Sequence, residues 1–241
     1  MADLIRDLLQ RRSDLSTFLH HFTKGTPADA EAALMSILGG LCLSARKPWG
    51  LARDFDSVTI SSPTVTQRVV CFTDTPIEHS WMMVRDIAGR SWDFQPYGVV
   101  FAKNFARAQG CHPIWYLDEQ GPAPSIAAAM RQLIQTYRDA RAKTPADYPP
   151  ESMDILRMTP FMELRTEQQD FFWEREWRHR GDFRFATTDV VAVFAPEKDH
   201  ARLKPLISGL SVDWATRDVP LLDPVWGTNY IFGALSRARN A

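Results

Sequence analysis

Cysteine is scarce: the 241 residues hold only Cys42, Cys71 and Cys111, and no two of them form a Cys-x-x-Cys pair. That excludes a disulfide framework and the usual zinc spacings. Cys111-His112 looks like a metal-site fragment, but adjacent residues rarely ligate one ion, so no metal is expected. Charge of one sign is also missing, since the formal net charge is −1. A dedicated nucleic-acid binder would show a basic excess. No apolar run reaches the roughly 18 residues a membrane span requires. Met1 to Gln10 mixes acidic and basic residues into its apolar run without a small-residue cleavage site, so a soluble, cytoplasmic protein is expected. Several catalytic signatures are absent as well. There is no G-x-x-x-x-G-K-[ST] phosphate cradle, no G-x-S-x-G elbow and no glycine-rich opening of a dinucleotide-binding βαβ unit.

What is present is a chain that is 45% hydrophobic, ample for a core, with strands and helices interspersed. Leu4, Ile5, Leu8 and Leu9 fall at helical spacing. Thr17 to Thr23 reads as a strand. Thr26-Pro27 then supplies an N-cap and a first-turn proline for a helix over Ala28 to Leu38, with Gly39-Gly40 expected to stop it in a left-handed cap. A short strand is expected around Ser57 to Ile60. Arg68 to Thr73, Tyr97 to Lys103, Pro113 to Leu117 and Asp189 to Phe194 read as further strands, and Ile77 to Ile87 as a helix. Ile126, Met130, Leu133, Ile134 and Tyr137 mark one face of a long helix between Pro124 and Lys143. Another helix follows over Glu151 to Glu163, interrupted near Pro160. Glu197 to Ile207 and Asn229 to Arg239 are the last helices. The pattern predicts a single α+β domain over residues 1–241, built around a mixed or antiparallel sheet, with a helical insertion at about 120–165.

The stretch Phe171 to Arg178, FFWEREWR, carries the most chemistry. Read as one strand, it puts Glu174, Glu176 and Arg178 on one face and Trp173, Arg175 and Trp177 on the other. Paired carboxylates walled by aromatics suit a site that binds a charged sugar or activates a hydroxyl. An edge strand with a charged outer face is the plainer alternative. His20 and His21 occupy opposite faces of the first strand. Tyr97 opens the YGVVFAK strand, where its ring could stack on a planar ligand, and Arg68 and Lys103 could neutralise a phosphate. In combination, a strand histidine can bond a ribose hydroxyl and a tyrosine can stack on nicotinamide. A late-strand glutamate can bond the ribose 2′-hydroxyl and stabilise the oxocarbenium ion as nicotinamide leaves. That order, His, Tyr, Glu, is what an ADP-ribosyltransferase would show, with NAD as substrate.

The segments RRSDLSTFLHHFTKG (11–25), VVCFTDTP (69–76), YGVVFAKNFARAQGCHPIWY (97–116), FFWEREWRHRGDF (171–183) and VVAVFAPE (190–197) carry a resemblance to a known family. The chain resembles the abortive phage-resistance AbiGi family, described as the antitoxin half of a defence pair. The resemblance implies a role in bacterial antiviral defence. More remotely, His21-Phe22-Thr23 with the following helix and Gly39-Gly40-Leu41 is similar to the opening of DarT-type DNA ADP-ribosyltransferases. The Glu-x-Glu pair is similar to that of arginine-targeting transferases. The resemblance implies an ADP-ribosyltransferase-like fold with Glu176 catalytic, Glu174 orienting the acceptor, His21 on the nicotinamide ribose and Tyr97 stacking. The acceptor would be a protein or a nucleic acid. The rival expectation is a non-catalytic antitoxin or regulatory binder that holds a cognate toxin, with Trp214 and Trp226 as candidate docking residues. A metal-dependent nuclease is the third.

Overall fold

A computed structural model describes residues 15–48, 50–55, 66–86, 93–119, 126–143, 154–165 and 171–239. The expected N-terminal helix and the strand around Ser57 to Ile60 lie outside the described residues. In chain order the strands are β1 (Phe18–Lys24), β2 (Cys42–Leu43), β3 (Val69–Thr73), β4 (Phe94–Ala102), β5 (His112–Pro113), β6 (Trp115–Asp118), β7 (Met162–Arg165), β8 (Glu176–Arg180), β9 (Phe183–Arg184), β10 (Val190–Phe194) and β11 (Leu221–Leu222). The helices are α1 (Pro27–Gly40), α2 (Trp81–Val84), α3 (Lys103–Ala108), α4 (Ile126–Lys143), α5 (Asp154–Met158), α6 (Glu197–Ser208), α7 (Val212–Ala215) and α8 (Thr228–Arg239). The protein is α+β, with a mostly antiparallel seven-stranded sheet in the order β11-β10-β4-β1-β3-β8-β5. The chain divides into two compact units. The first comprises Met1–Leu43, Phe72–Gln109 and Arg184–Ala241, and the second Ser44–Cys71 and Gly110–Phe183, which takes in the stretch expected as a helical insertion. Among the described residues no helix is long and apolar enough to cross a membrane.

In the first unit, β1 and β4 pair antiparallel, with His21 opposite Val99 and Phe22 opposite Gly98. A Cβ on Gly98 would lie 2.3 Å from the His21 carbonyl oxygen, so only glycine lets these strands approach as they do. One sheet face buries Phe22, Val100, Ala192, Phe194 and Leu222 against Ile77, Met83 and Ile231. Helix α1 begins as its sequence predicts. The Asp29 amide donates to Thr26 Oγ1 at 3.2 Å and the Thr26 amide to Asp29 Oδ2 at 3.3 Å, a reciprocal capping box with Pro27 in the first turn. Thr26→Ala should therefore cost about 1 kcal/mol in thermal or urea unfolding, and a change under about 0.3 kcal/mol would contradict the cap.

The helix end differs from expectation. Gly39 and Gly40 stay helical, and Leu41 takes the left-handed cap at φ 48. Its amide bonds the Ile37 carbonyl and its own carbonyl accepts the Phe185 amide at 3.2 Å, so hydrogen bonds offset the conformational cost a glycine would avoid. The expected helix over Ile77 to Ile87 is shorter, a 3₁₀ turn at Ile77–His79 followed by the single-turn α2.

In the second unit, α4 buries Ala127, Met130, Ile134 and Tyr137 against Leu51, Leu117, Ile155, Leu156 and Met162. The spacing is helical, but Ile126 and Leu133, expected on the buried face, are 60% and 52% exposed. The helix expected to reach Glu163 stops at Met158. Pro160 sits in a 3₁₀ turn (Thr159–Phe161), and the chain then extends as β7, parallel to β6 with Tyr116 opposite Glu163.

The stretch expected as one strand from Phe171 to Arg178 is broken. Phe172–Glu174 is a 3₁₀ turn, Arg175 is left-handed at φ 48, and β8 starts only at Glu176. The Tyr116 hydroxyl donates to the Phe171 carbonyl at 3.0 Å, and the Phe172 ring packs edgewise on Tyr116 at 5.5 Å. These contacts draw Phe171 and Phe172 away from the sheet. Strand alternation therefore groups Glu176 with Arg178 and Arg180, and Glu174 reaches its place by a turn.

Candidate functional site

The expected site residues divide between the units, with His21, Tyr97 and Lys103 in the first and Arg68, Glu174 and Glu176 in the second. The second unit contains a buried carboxylate–guanidinium cluster. Arg178, 2% exposed, lies mid-strand on β8 opposite His112 of β5. Its Nε donates to Glu176 Oε1 at 2.8 Å and its Nη2 to Glu176 Oε2 at 3.0 Å, a side-on fork. Nη2 also donates to Glu163 Oε2 at 2.8 Å, and Nη1 to the Pro160 carbonyl at 3.0 Å. Burial works against the Arg178 charge, but the Glu176 carboxylate, followed by Cys71 and Glu163, outweighs it and holds the guanidinium pKa well above its ordinary value.

Glu163 is buried at β7. Burial raises its carboxyl pKa above the ordinary range despite the lowering influence of Arg178, which commits more of its bonding to Glu176. Glu174 is buried in the preceding turn. Tyr116 feels both Glu174 and Glu176: burial first, then these two charges, push its phenol pKa up. Gly50, at φ +80, lies against Glu163, and a Cβ there would come within 2.5 Å of Oε1. Gly50→Ala should therefore unseat the Glu163 carboxylate.

Glu176 is the member of this cluster with chemical reach. Its side chain is 11% exposed against 3% for Arg178. Each carboxylate oxygen accepts one guanidinium hydrogen bond, which leaves each a second lone pair. A carboxylate fixed from behind in this way can accept a sugar hydroxyl and stabilise positive charge developing beside it. Arg68, just before β3, has an exposed side chain. Its amide donates to Thr66 Oγ1 at 3.3 Å and its carbonyl accepts the Gly181 amide at 2.9 Å.

In the first unit, His21 and Tyr97 project from one face of the β1–β4 pair. The His21 ring is half-buried, edge-on to Phe72 at 6.0 Å. Tyr97 is only 4% exposed and its hydroxyl donates to Asp199 Oδ2 at 2.8 Å. Burial and then Asp199 raise the phenol pKa. Arg202 donates to both Glu31 oxygens at 2.7 and 2.6 Å and to Asp199 at 3.3 Å, and its hydrogen bond lowers the Glu31 pKa. At Asp199 burial acts upward, but the bonds from Tyr97 and Arg202 bring the pKa down.

Lys103 opens α3 and pairs with Asp74 at 2.9 Å. Beside that pair lies His20, 1% exposed, its ring edge-on to Phe194 at 5.3 Å and neither ring nitrogen hydrogen-bonded. Burial, the largest influence, lowers the His20 pKa to about 3, with Asp74 acting upward and Lys103 downward. The two histidines thus take opposite faces, as strand alternation predicts.

Three groups escaped the sequence reading. Glu163 was placed at the end of a helix, although the alternation in Met162-Glu163-Leu164-Arg165 was available as a strand signal. Asp74 pairs with Lys103 across 29 positions, which has no local signature in the sequence. The third is the burial of His20, which depends on which face of β1 turns inward. Trp214 is corrected as a docking candidate: it is buried, and its indole N–H donates to the Leu38 carbonyl at 3.0 Å. Trp226 is half-buried, donating to Glu197 Oε2 at 2.8 Å. Burial pushes the Cys111 thiol up to about 12. Among the described residues no group of three or more His, Cys, Asp and Glu could hold a metal ion. Compared with family models, with curated proteins and with solved structures, the chain finds no match.

Proposed function

We propose that this protein acts in bacterial antiviral defence by abortive infection, in the cytoplasm, through an ADP-ribosyltransferase-like site that uses NAD to modify a nucleic acid or protein, or hydrolyses it. The observation that carries the reading is Glu176, a partly exposed carboxylate with both oxygens held by a buried arginine. Such a group suits the 2′-hydroxyl of the nicotinamide ribose. As the bond from C1′ to nicotinamide breaks, the electron pair leaves with nicotinamide. The carboxylate stabilises the oxocarbenium ion until water or an acceptor nucleophile adds at C1′ and gives its proton to solvent. Among the groups of the second unit, Glu174 would orient the acceptor.

A second reading, a non-catalytic antitoxin or regulatory binder, is favoured by Tyr97. Its ring is buried and its hydroxyl is committed to Asp199, so it offers little face for stacking on nicotinamide. Tyr230 and Phe232 on α8, 72% and 44% exposed, would replace Trp214 as the apolar contacts of such a binder.

Cell lysate supplied with NAD labelled in its adenylate half separates the two readings. The first predicts label on a macromolecule, or labelled ADP-ribose, with the wild-type protein and neither with Glu176→Gln. Equal labelling by wild type and Glu176→Gln, or none from either folded protein, would overturn it in favour of the binder.

A further inference from the structure

We propose that Glu163 and Arg178 are positioning residues for Glu176, forming a chain Glu163–Arg178–Glu176 seated by Gly50. The proposal rests on the reading of Glu176 given above. The geometry distinguishes this chain from an ordinary ion pair. One guanidinium serves two carboxylates, and Nη2 is shared between them, at 3.0 Å to Glu176 and 2.8 Å to Glu163. The Glu176 fork on its own would leave the guanidinium free to pivot about its Nε–Nη2 edge. Glu163 from β7 and the Pro160 carbonyl take the other bonds and fix the plane. A fixed plane fixes the Glu176 carboxylate, leaving its partly exposed edge aimed one way.

The inner end is built tightly. Glu163 is held opposite Tyr116 by the β6–β7 register, and Gly50 lies so near its carboxylate that a Cβ there would meet Oε1 at 2.5 Å and displace it. Of the two acceptors Glu176 is the less enclosed, its side chain 11% exposed against 6% for Glu163. Glu163 touches no substrate in this scheme and acts only through Arg178.

The test compares wild type, Glu163→Gln, Glu176→Gln and the double variant. It uses kinetics of NAD consumption and the ¹H–¹⁵N signal of the Arg178 Nε–H, which bonds Glu176 directly. Glu163→Gln should lower kcat by about tenfold or more with KM for NAD within about twofold, and should shift or broaden the Arg178 Nε–H signal. The double variant should be no slower than Glu176→Gln alone, because both changes act on one carboxylate. A Glu163→Gln protein that loses stability but keeps wild-type kcat per folded molecule, or an Arg178 signal unchanged by the substitution, would overturn the proposal. If Glu163→Gln does not fold, Gly50→Ala, which retains every charge, takes its place with the same expectations. A folded wild type that leaves NAD intact defeats the functional reading, and the Arg178 signal then decides the positioning role by itself.

Discussion

Arg178→Ala should lower the unfolding free energy by about 3–5 kcal/mol, because it leaves the Glu163 and Glu176 carboxylates without their common cation in a buried setting. Much of that loss is the cost of charges left unmatched, so the partner substitutions should behave differently. Glu176→Gln keeps an acceptor oxygen for the guanidinium at the more exposed end, and should cost no more than about 1–2 kcal/mol. Urea unfolding of the two variants beside wild type measures the contrast. An Arg178→Ala protein within about 1 kcal/mol of wild type would show that the cluster is looser than its four hydrogen bonds imply. A Glu176→Gln protein as unstable as Arg178→Ala would make Glu176 chiefly a structural residue.

Acid should destabilise the protein through His20. Its pKa is lowered from 6.5 to about 3 by burial, so the unfolded chain takes up a proton below pH 6.5 that the folded chain refuses until about pH 3. Stability supplied by the neutral ring is complete above 6.5. It falls by about a factor of ten in the folding equilibrium for each pH unit below that, and levels off near 3. The full span is on the order of 5 kcal/mol. Asp74 and Lys103 are the charged groups bearing on the ring, and they act in opposite directions. His20→Leu removes two ring nitrogens that lack hydrogen bonds and keeps a comparable apolar volume against Phe22 and Phe194. It should match or exceed wild-type stability at pH 5 and flatten this part of the pH profile. Parallel wild-type and His20→Leu profiles between pH 6.5 and 4, or a large loss of stability at pH 7, would contradict the account.

How far the sequence revealed this structure depended on the range of the interactions involved. Helix α1 was legible because a capping box and a first-turn proline are local chemistry, and α4 because Met130, Ile134 and Tyr137 repeat at helical spacing. The β1, β3, β4 and β10 strands were legible from alternation and β-branched runs. Phe171 to Arg178 misled because its composition suits a strand, while Tyr116, distant in sequence, holds Phe171 by a hydrogen bond and Phe172 by ring packing. Leu41 takes the left-handed conformation expected of the neighbouring glycines, and its carbonyl accepts the Phe185 amide.

The candidate site was legible in part. Glu174, Glu176 and Arg178 drew attention as a dense run of charge among aromatics. The same run could not show that Arg178 holds Glu176 side-on, or that Glu163 supplies the second carboxylate. The YGVVFAK run puts Tyr97 at the start of a strand, with an accessible ring, but β4 already begins at Phe94 and the phenol lies beneath Asp199 of a helix about a hundred residues later.

Release of nicotinamide from purified NAD is the most direct measurement, made with wild type and Glu176→Gln at equal folded concentration. With cell lysate present as the source of acceptor, the account predicts steady release by wild type and a loss of at least about a hundredfold in Glu176→Gln with KM little changed. Release that survives in Glu176→Gln would remove Glu176 from the chemistry, and a folded wild type that releases none would contradict the NAD-dependent activity itself.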